Sequence, residues 1–307
     1  MDRQVSTSRA ERKSMTAFVV IIPACNEEQV IGTLITALRQ SQVTFLVIVS
    51  VNGCIDNTAQ AARVAVHGDH RFLVIESPLG GKCAAINRGE AQIPQEWRDL
   101  PRFFVDADVV IHGQDFLRLA QRLSGAEPSL VSPKIDLKLD GCTPLSRLAA
   151  LGWQERPYFQ NGAHQFVLGV NAAGRNLWGL FPEIIADDAF ILSHFTPEQR
   201  SVALDTSVCV QFPRTALAFF GMQRRWIAGD RQLRQIRVHV RSQRPCVESA
   251  TFASVASKAT KPSKRTQNPK LLATAVYLTL RGTAMLLDRL GIRQRTWYRD
   301  SSTRTSM

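Results

Sequence analysis

Phe18 to Leu38 reads FVVIIPACNEEQVIGTLITAL, and its two halves follow different periods. Phe18 to Ile22 is an unbroken apolar run, the pattern of a strand covered on both faces. Beyond Pro23 the period changes: Val30, Ile31, Leu34, Ile35 and Leu38 recur at helical spacing. Asn26 is placed to cap that helix, with Glu27 and Glu28 in its first turn, where the helix dipole favours negative charge. A buried strand feeding a helix is the opening half of a parallel β-α-β unit.

The same beat continues downstream. Phe45 to Val49 predicts a second strand, and Asp56 is placed to cap a helix through Ala59, Ala62 and Val66. Phe72 to Ile75 predicts a third strand, with a helix over 82–91, and Phe103 to Val105 a fourth. Strands alternating with helices imply an α/β fold, with a mostly parallel sheet and right-handed crossovers. Ligands of such sheets bind beyond the carboxyl ends of the strands. Four polar segments fall at those ends: Pro23 to Glu28, Asn52 to Thr58, Ser77 to Lys82, and Asp106 to Asp108. Past Gly113 the pattern predicts a helix over 116–123, a strand near 130–133, a helix near 144–159 and a strand at 166–170. Helical spacing returns near 187–194 and 219–235.

The 307 residues are 45% hydrophobic, enough for one or two domains with a large core. Net charge is +12, but residues 223–307 hold 18 Lys+Arg against 4 Asp+Glu, a net of +14, and the remainder 20 against 22, or −2. A basic C-terminal third suits an anionic surface such as membrane lipid, a lipid-diphosphate acceptor or nucleic acid. A solvated tail explains it equally. The six cysteines form no CxxC pair and no zinc pattern, and read as reduced thiols of a cytosolic protein. Residues 1–16 are polar, lack the apolar segment of a signal peptide, and read as a flexible N-terminus. Leu271 to Leu290 is the best membrane candidate, but Arg281 lies midway, with Asp288 and Arg289 near its end. An amphipathic helix lying on a membrane or on the domain fits better than a span. The expected layout is therefore a folded domain over 17–235, with halves 17–113 and 114–235, then a basic tail over 236–307.

Phe104-Val105-Asp106-Ala107-Asp108 sets two carboxylates one residue apart at a strand end. Hard oxygen ligands in that position can grip Mg²⁺ or Mn²⁺ and leave room for substrate phosphates. Taken alone, such aspartates often only cap a turn. Pro23-Ala24-Cys25-Asn26-Glu27-Glu28 adds polar side chains beside a helix N-terminus. Asn52 leads a turn-rich strand exit and can hydrogen-bond a base edge. Gly80-Gly81-Lys82 lets backbone approach closely and brings a point charge for phosphate, but the P-loop pattern is absent.

In this order, VVIIPACNEE, VNGCIDNT, GGKCAAINRG and FVDADV resemble the family 2 glycosyltransferases, over roughly residues 17–230. The resemblance implies the GT-A fold, a Rossmann-like nucleotide-binding three-layer sandwich, and a UDP- or GDP-sugar donor. It implies that Pro23, Ala24, Asn26 and Glu28 line the nucleoside pocket, with Asn52 and Lys82 near base or phosphates. Asp106 and Asp108 would hold the metal and the sugar diphosphate. Asn52-Gly53 stands where family members often carry an acidic pair, which leaves the base open. Asp187-Asp188 resembles the family's acidic pair at a helix start, with Asp188 as the base that deprotonates the acceptor and Asp187 beside it. As a bare helix start, the same pair would simply answer the dipole. Gln223-Arg224-Arg225-Trp226 resembles the basic-aromatic element of processive members with the glutamine off by one. Arg225 would pair with diphosphate oxygens and Trp226 would stack on an acceptor sugar. The function implied is an inverting, metal-dependent transfer to a glycan, lipid or lipid-linked acceptor, in the cytoplasm or at the inner face of the membrane.

Two other classes were weighed. A sugar-phosphate nucleotidyltransferase wants a Gly-rich, Arg-bearing loop after the first strand, and this chain has Pro-Ala-Cys-Asn-Glu-Glu there. A non-catalytic module binding nucleic acid or membrane through the basic tail lacks any helix-turn-helix, zinc-finger or RNA-binding signature. Trp153, Trp178 and His194 read as core residues, and Gly169 to Arg175 as either an acceptor loop or a tight turn.

Overall fold

The structure, a computed structural model, describes residues 17–156, 159, 165–242 and 269–292. The expected flexible N-terminus, most of the linker expected over 241–267, Cys246 and His164 lie outside the described residues.

Four strands follow the predicted beat: β1 (Phe18–Ala24), β2 (Phe45–Asn52), β3 (Phe72–Ser77) and β4 (Arg102–Val105). They alternate with α1 (Ile31–Arg39), α2 (Thr58–Val66) and α3 (Lys82–Ala91), and α4 (Gly113–Gln121) follows. Then come β5 (Leu130–Lys138), α5 (Pro144–Gln154), β6 (Val167–Val170), the short α6 (Ala172–Arg175), α7 (Asp187–Leu192), β7 (Arg200–Gln211), α8 (Ala216–Ser242) and α9 (Pro269–Arg289). The sheet order is β3-β2-β1-β4-β6-β5-β7. β1, β2, β3 and β4 pair in parallel, as do β5 and β7, while β6 runs antiparallel to both its neighbours.

β1 is buried at every position, which is why its sequence shows no alternation. Phe18, Val20 and Ile22 face one way, into a core closed by α1, α2 and α4. Val19 and Ile21 face the other way, toward α3, Trp178, Phe181 and α7. Phe18 has the rings of Phe45, Phe103 and Phe116 at 5.8, 5.5 and 5.8 Å. Burying such a side chain contributes about 1.5–3 kcal/mol. Helices on both faces of a mostly parallel mixed sheet make the three-layer, Rossmann-like GT-A sandwich that the resemblance implied.

A third cluster joins Trp153 of α5, Phe212, Phe219 of α8 and Tyr277 of α9. Thr143 caps α5 by accepting from Ser146 N at 3.3 Å, with Pro144 in the first helical position. The crossing of α5 and α9 is very close: a Cβ added at Gly152 would lie 2.1 Å from the Ala273 carbonyl oxygen. α9 buries Ala273, Tyr277 and Ala284 at helical spacing and exposes Leu271, Leu272, Leu278, Met285 and Leu286.

Several local expectations are corrected. α1 starts at Ile31, not at Asn26, and carries no acidic residue in its first turn. Asn26 takes a left-handed conformation (φ 52°), which Asn tolerates better than most residues. The strand β7 follows no clear sequence period, because its pairing with β5 slips between Pro133 and Lys134. A proline inside a strand is accommodated at such an irregularity.

Candidate active site

The carboxyl ends of β1, β2 and β4 and the start of α3 open into one cavity of about 960 Å³, closed on its far side by α5, α7, α8 and α9. The loops after β1 and β2 are laced together. Asn26 Oδ1 accepts from Ile55 N at 2.8 Å, and Thr58 Oγ1 accepts from Glu27 N at 2.7 Å. Glu28 accepts from Asn57 N at 2.9 Å and donates its own N–H to Asp56 at 3.3 Å. Asp56 acts one position off a formal cap, accepting from Thr58 N at 3.1 Å. The loop after β2 also touches the next glycine loop. A Cβ on Gly53 would meet Gly80 Cα at 2.7 Å, so these two segments depend on bare backbone.

Of the residues expected at the donor end, Pro23, Asn26, Asn52, Lys82, Asp106 and Asp108 line the cavity. Ala24 and Glu28 do not. Ala24 is the buried last residue of β1, and the Glu28 carboxylate is turned onto the 52–58 loop. Cys25 and Glu27 line the wall instead, because the left-handed turn at Asn26 rotates the chain there. Lys82 begins α3, and Gly81 before it has φ 113°, a conformation closed to residues with a side chain. Lys82 Nζ stands 2.6 Å from Asp106 Oδ1 and 3.0 Å from Asp187 Oδ2. The lysine expected beside base or phosphate thus ties the DxD strand to the start of α7.

Asp187 and Asp188 both line the cavity, and Asp188 Oδ1 accepts from Ala189 N at 2.7 Å. Burial opposes the Lys82 charge, but Asp106 and Asp187 outweigh it and raise the lysine pKa. Burial also raises Asp187, with Lys82 working against it. Burial first, and the Asp187 charge second, push Asp188 up to about 6. A carboxylate so shifted is poised to accept a proton near neutrality.

A divalent cation fits this wall. Among the described residues no group of three or more His, Cys, Asp or Glu side chains forms a closed metal cage. Asp106 and Asp108 offer hard oxygen at the edge of open space, and Mg²⁺ keeps its remaining positions for water and phosphate. Asp106, Asp108, Asp187 and Asp188 also outnumber the one lysine among them, leaving negative charge for a cation to balance.

Arg225 and Trp226 project from α8 into the same cavity, so the shifted basic-aromatic element reaches it. Gln223 does not: it is wholly buried and accepts from Arg281 Nη1 at 2.8 Å. Trp226 packs on Trp153, with centroids 5.5 Å apart. Trp153 is a core residue that also lines the cavity, whereas Trp178 is core alone. Gly169 and Val170 end β6 and Asn171 caps α6 by accepting from Gly174 N at 2.8 Å, so Gly169 to Arg175 is a strand end passing into a short helix, outside the cavity lining. His194 lies against Trp178 and Phe190, as a structural histidine. Arg156, Tyr277 and Arg281 also line the cavity, and sequence reasoning missed all three as site residues. The signal for the last two was partial: Arg281 interrupts the apolar middle of α9 one turn after Tyr277.

The model of glycosyl transferase family 2 matches residues 19–184. No curated protein matches the chain at a significant level. Among solved structures, an S. aureus TarS fragment crystallised with UDP-GlcNAc is 18% identical, with TM-score 0.47, over 64% of this chain and 58% of that one. Glucosyl-3-phosphoglycerate synthase from Mycobacterium tuberculosis, crystallised with Mn²⁺, UDP and phosphoglyceric acid, is 17% identical, with TM-score 0.45, over 65% of this chain and 70% of that one. The chain thus spans less than two thirds of that TarS fragment.

Proposed function

The chain belongs to glycosyl transferase family 2, and from that premise we propose that it moves a hexosyl group from a UDP- or GDP-sugar to an acceptor hydroxyl with inversion at the anomeric carbon. The observation that carries this reading is the bridge from Asp106 through Lys82 to Asp187, at 2.6 and 3.0 Å, on the wall of an open cavity shared with Asp108 and Asp188.

Asp106 and Asp108 would hold Mg²⁺ or Mn²⁺, which would neutralise charge on the leaving diphosphate. Pro23, Asn26 and Asn52 border the nucleoside. Arg225 faces the diphosphate and Trp226 the acceptor. Asp188 takes the proton of the acceptor hydroxyl as its oxygen bonds to the anomeric carbon and the bond to the diphosphate breaks. The raised pKa of Asp188 supports that role. Lys82 holds the DxD carboxylate and Asp187 in one frame, so donor and base ends keep their separation. We assign the donor half to 17–113 and the acceptor half to 114–235.

We place the enzyme in the cytoplasm or at the inner face of the membrane. Among the described residues Cys54, Cys83, Cys142 and Cys209 form no disulfide, which supports a reducing compartment. The most apolar 18-residue window within Lys270–Arg289 has a mean hydropathy of 1.2, and the leucine-rich outer face of α9 belongs to the basic third of the chain.

Calorimetric titration of UDP with and without Mn²⁺ tests the donor site. Asp108→Ala is expected to remove the Mn²⁺-dependent part of UDP binding with no change in Tm. Metal-dependent binding that survives the substitution overturns the assignment. The same titration with GDP decides the base.

A further inference from the structure

We propose that the end of the cleft formed by α5 and α9 is an anion-binding subsite, in which Arg156 and Arg281 recognise a phosphate group on the acceptor. The word acceptor rests on the transferase reading above; the anion site does not.

The two ends of the cavity carry opposite charge. Around Lys82 stand Asp106, Asp108, Asp187 and Asp188. Arg156 and Arg281 stand by Tyr277 on the α9 side, with Asp230 near Arg281. If Asp230 offsets Arg281, the positive charge of Arg156 remains. A second anion arriving beside a bound nucleotide is repelled by the carboxylates and drawn to the guanidinium end.

The geometry is built rather than incidental. The Arg156 guanidinium lies over the Tyr277 ring, 5.7 Å from its centroid. Arg281 follows Tyr277 by one helical turn, and its Nη1 is fixed by Gln223 Oε1 at 2.8 Å. Gln223 is fully buried, so this hold is sheltered from water. An arginine anchored through one nitrogen keeps its other N–H donors for bidentate contact with two oxygens of a phosphate. Both arginines are half-buried, which strengthens their pull on an anion relative to surface arginines. Trp153 and Trp226 form the adjoining aromatic wall, suited to the apolar face of a sugar or to hydrocarbon. Arg281 and Trp226 lie beyond the 19–184 stretch matched by the family model, whereas Trp153 and Arg156 lie within it.

A phosphate of this kind comes from a soluble phosphorylated acceptor or from a lipid headgroup, and α9 turns its exposed leucines away from the same site. Inorganic phosphate is titrated calorimetrically into the full chain saturated with UDP and Mn²⁺, as wild type, Arg156→Gln, Arg281→Gln and Arg281→Lys. Each glutamine variant is expected to weaken phosphate binding by roughly tenfold. Arg281→Lys keeps the charge at Gln223 and is expected to fall between them and wild type, which guards against a folding artefact; Tm is followed for all four. In parallel, binding is measured to phosphatidylcholine vesicles carrying phosphatidic acid at about one part in five. Loss of vesicle binding in the glutamine variants assigns the phosphate to a lipid headgroup, and unchanged vesicle binding with lost phosphate binding assigns it to a soluble acceptor. Phosphate affinity that is absent in wild type, or unchanged in both glutamine variants, overturns the proposal. If UDP fails to bind, phosphate is titrated without it: arginine-dependent binding then keeps the anion site while the transferase reading falls.

Discussion

The two ends of the cleft are built by different means. At the acidic end, parallel β1, β2 and β4 deliver Pro23, Asn52 and Asp106 to one rim in fixed register, and the starts of α3 and α7 add Lys82, Asp187 and Asp188. The basic, aromatic end is assembled from α5, α8 and α9, which bring Trp153, Trp226 and Tyr277 together from three distant parts of the chain. A sheet places side chains by backbone hydrogen bonds, so its site survives loss of one neighbour. A helix crossing places them by side-chain packing alone, so its site shares the fate of its core. The acidic end should therefore respond to substitution in chemistry, and the basic end in stability and acceptor binding together.

The sharpest test of that division is Asp188→Asn. Transfer is expected to fall by ~10²–10⁴-fold, while UDP affinity in the presence of Mn²⁺ and Tm stay unchanged. Full turnover in that variant removes Asp188 as the base. Next in size is Trp153→Ala, which deletes the centre of the third cluster and is expected to cost about 3–5 kcal/mol by chemical denaturation. UDP affinity in the folded variant is expected to stay within about twofold of wild type, a shift well under that of one good hydrogen bond. A large loss of UDP binding there would break the claimed independence of the two ends.

The smallest effect is graded rather than absolute. Asp188 has its pKa raised, so it is protonated at low pH and cannot accept a proton; kcat/KM should rise with pH through about 6. Below that point the fall approaches tenfold per pH unit, and it disappears in Asp188→Asn along with the residual rate's pH dependence. A flat profile between about pH 5 and about pH 8 contradicts the assignment.

The same contrast explains what could be read in the sequence. Apolar runs ending in polar loops announce a parallel sheet and its rim, so β1 to β4, Asn52 and the DxD pair were legible at once. Asn26 and Glu28 were legible as important but not in role, because a left-handed turn redirected one and loop-to-loop hydrogen bonds absorbed the other. β7 was illegible because its buried alternation, regular at Thr206, Val208 and Val210, loses phase before Thr206. Arg281 was read only as an obstacle to membrane crossing. Its place beside Gln223 depends on α9 folding back over α5, and no local period encodes that contact.

The contact between Gly152 and the Ala273 carbonyl makes position 152 a gauge for the mouth of the cleft. Ordinary van der Waals contact begins near 3.4 Å, and a methyl there would start at 2.1 Å, so α9 must move outward to admit it. Tyr277 and Arg281 ride on that helix and would move with it. One methyl group, touching neither sugar nor nucleotide, would thus resize the opening and retune which acceptors pass.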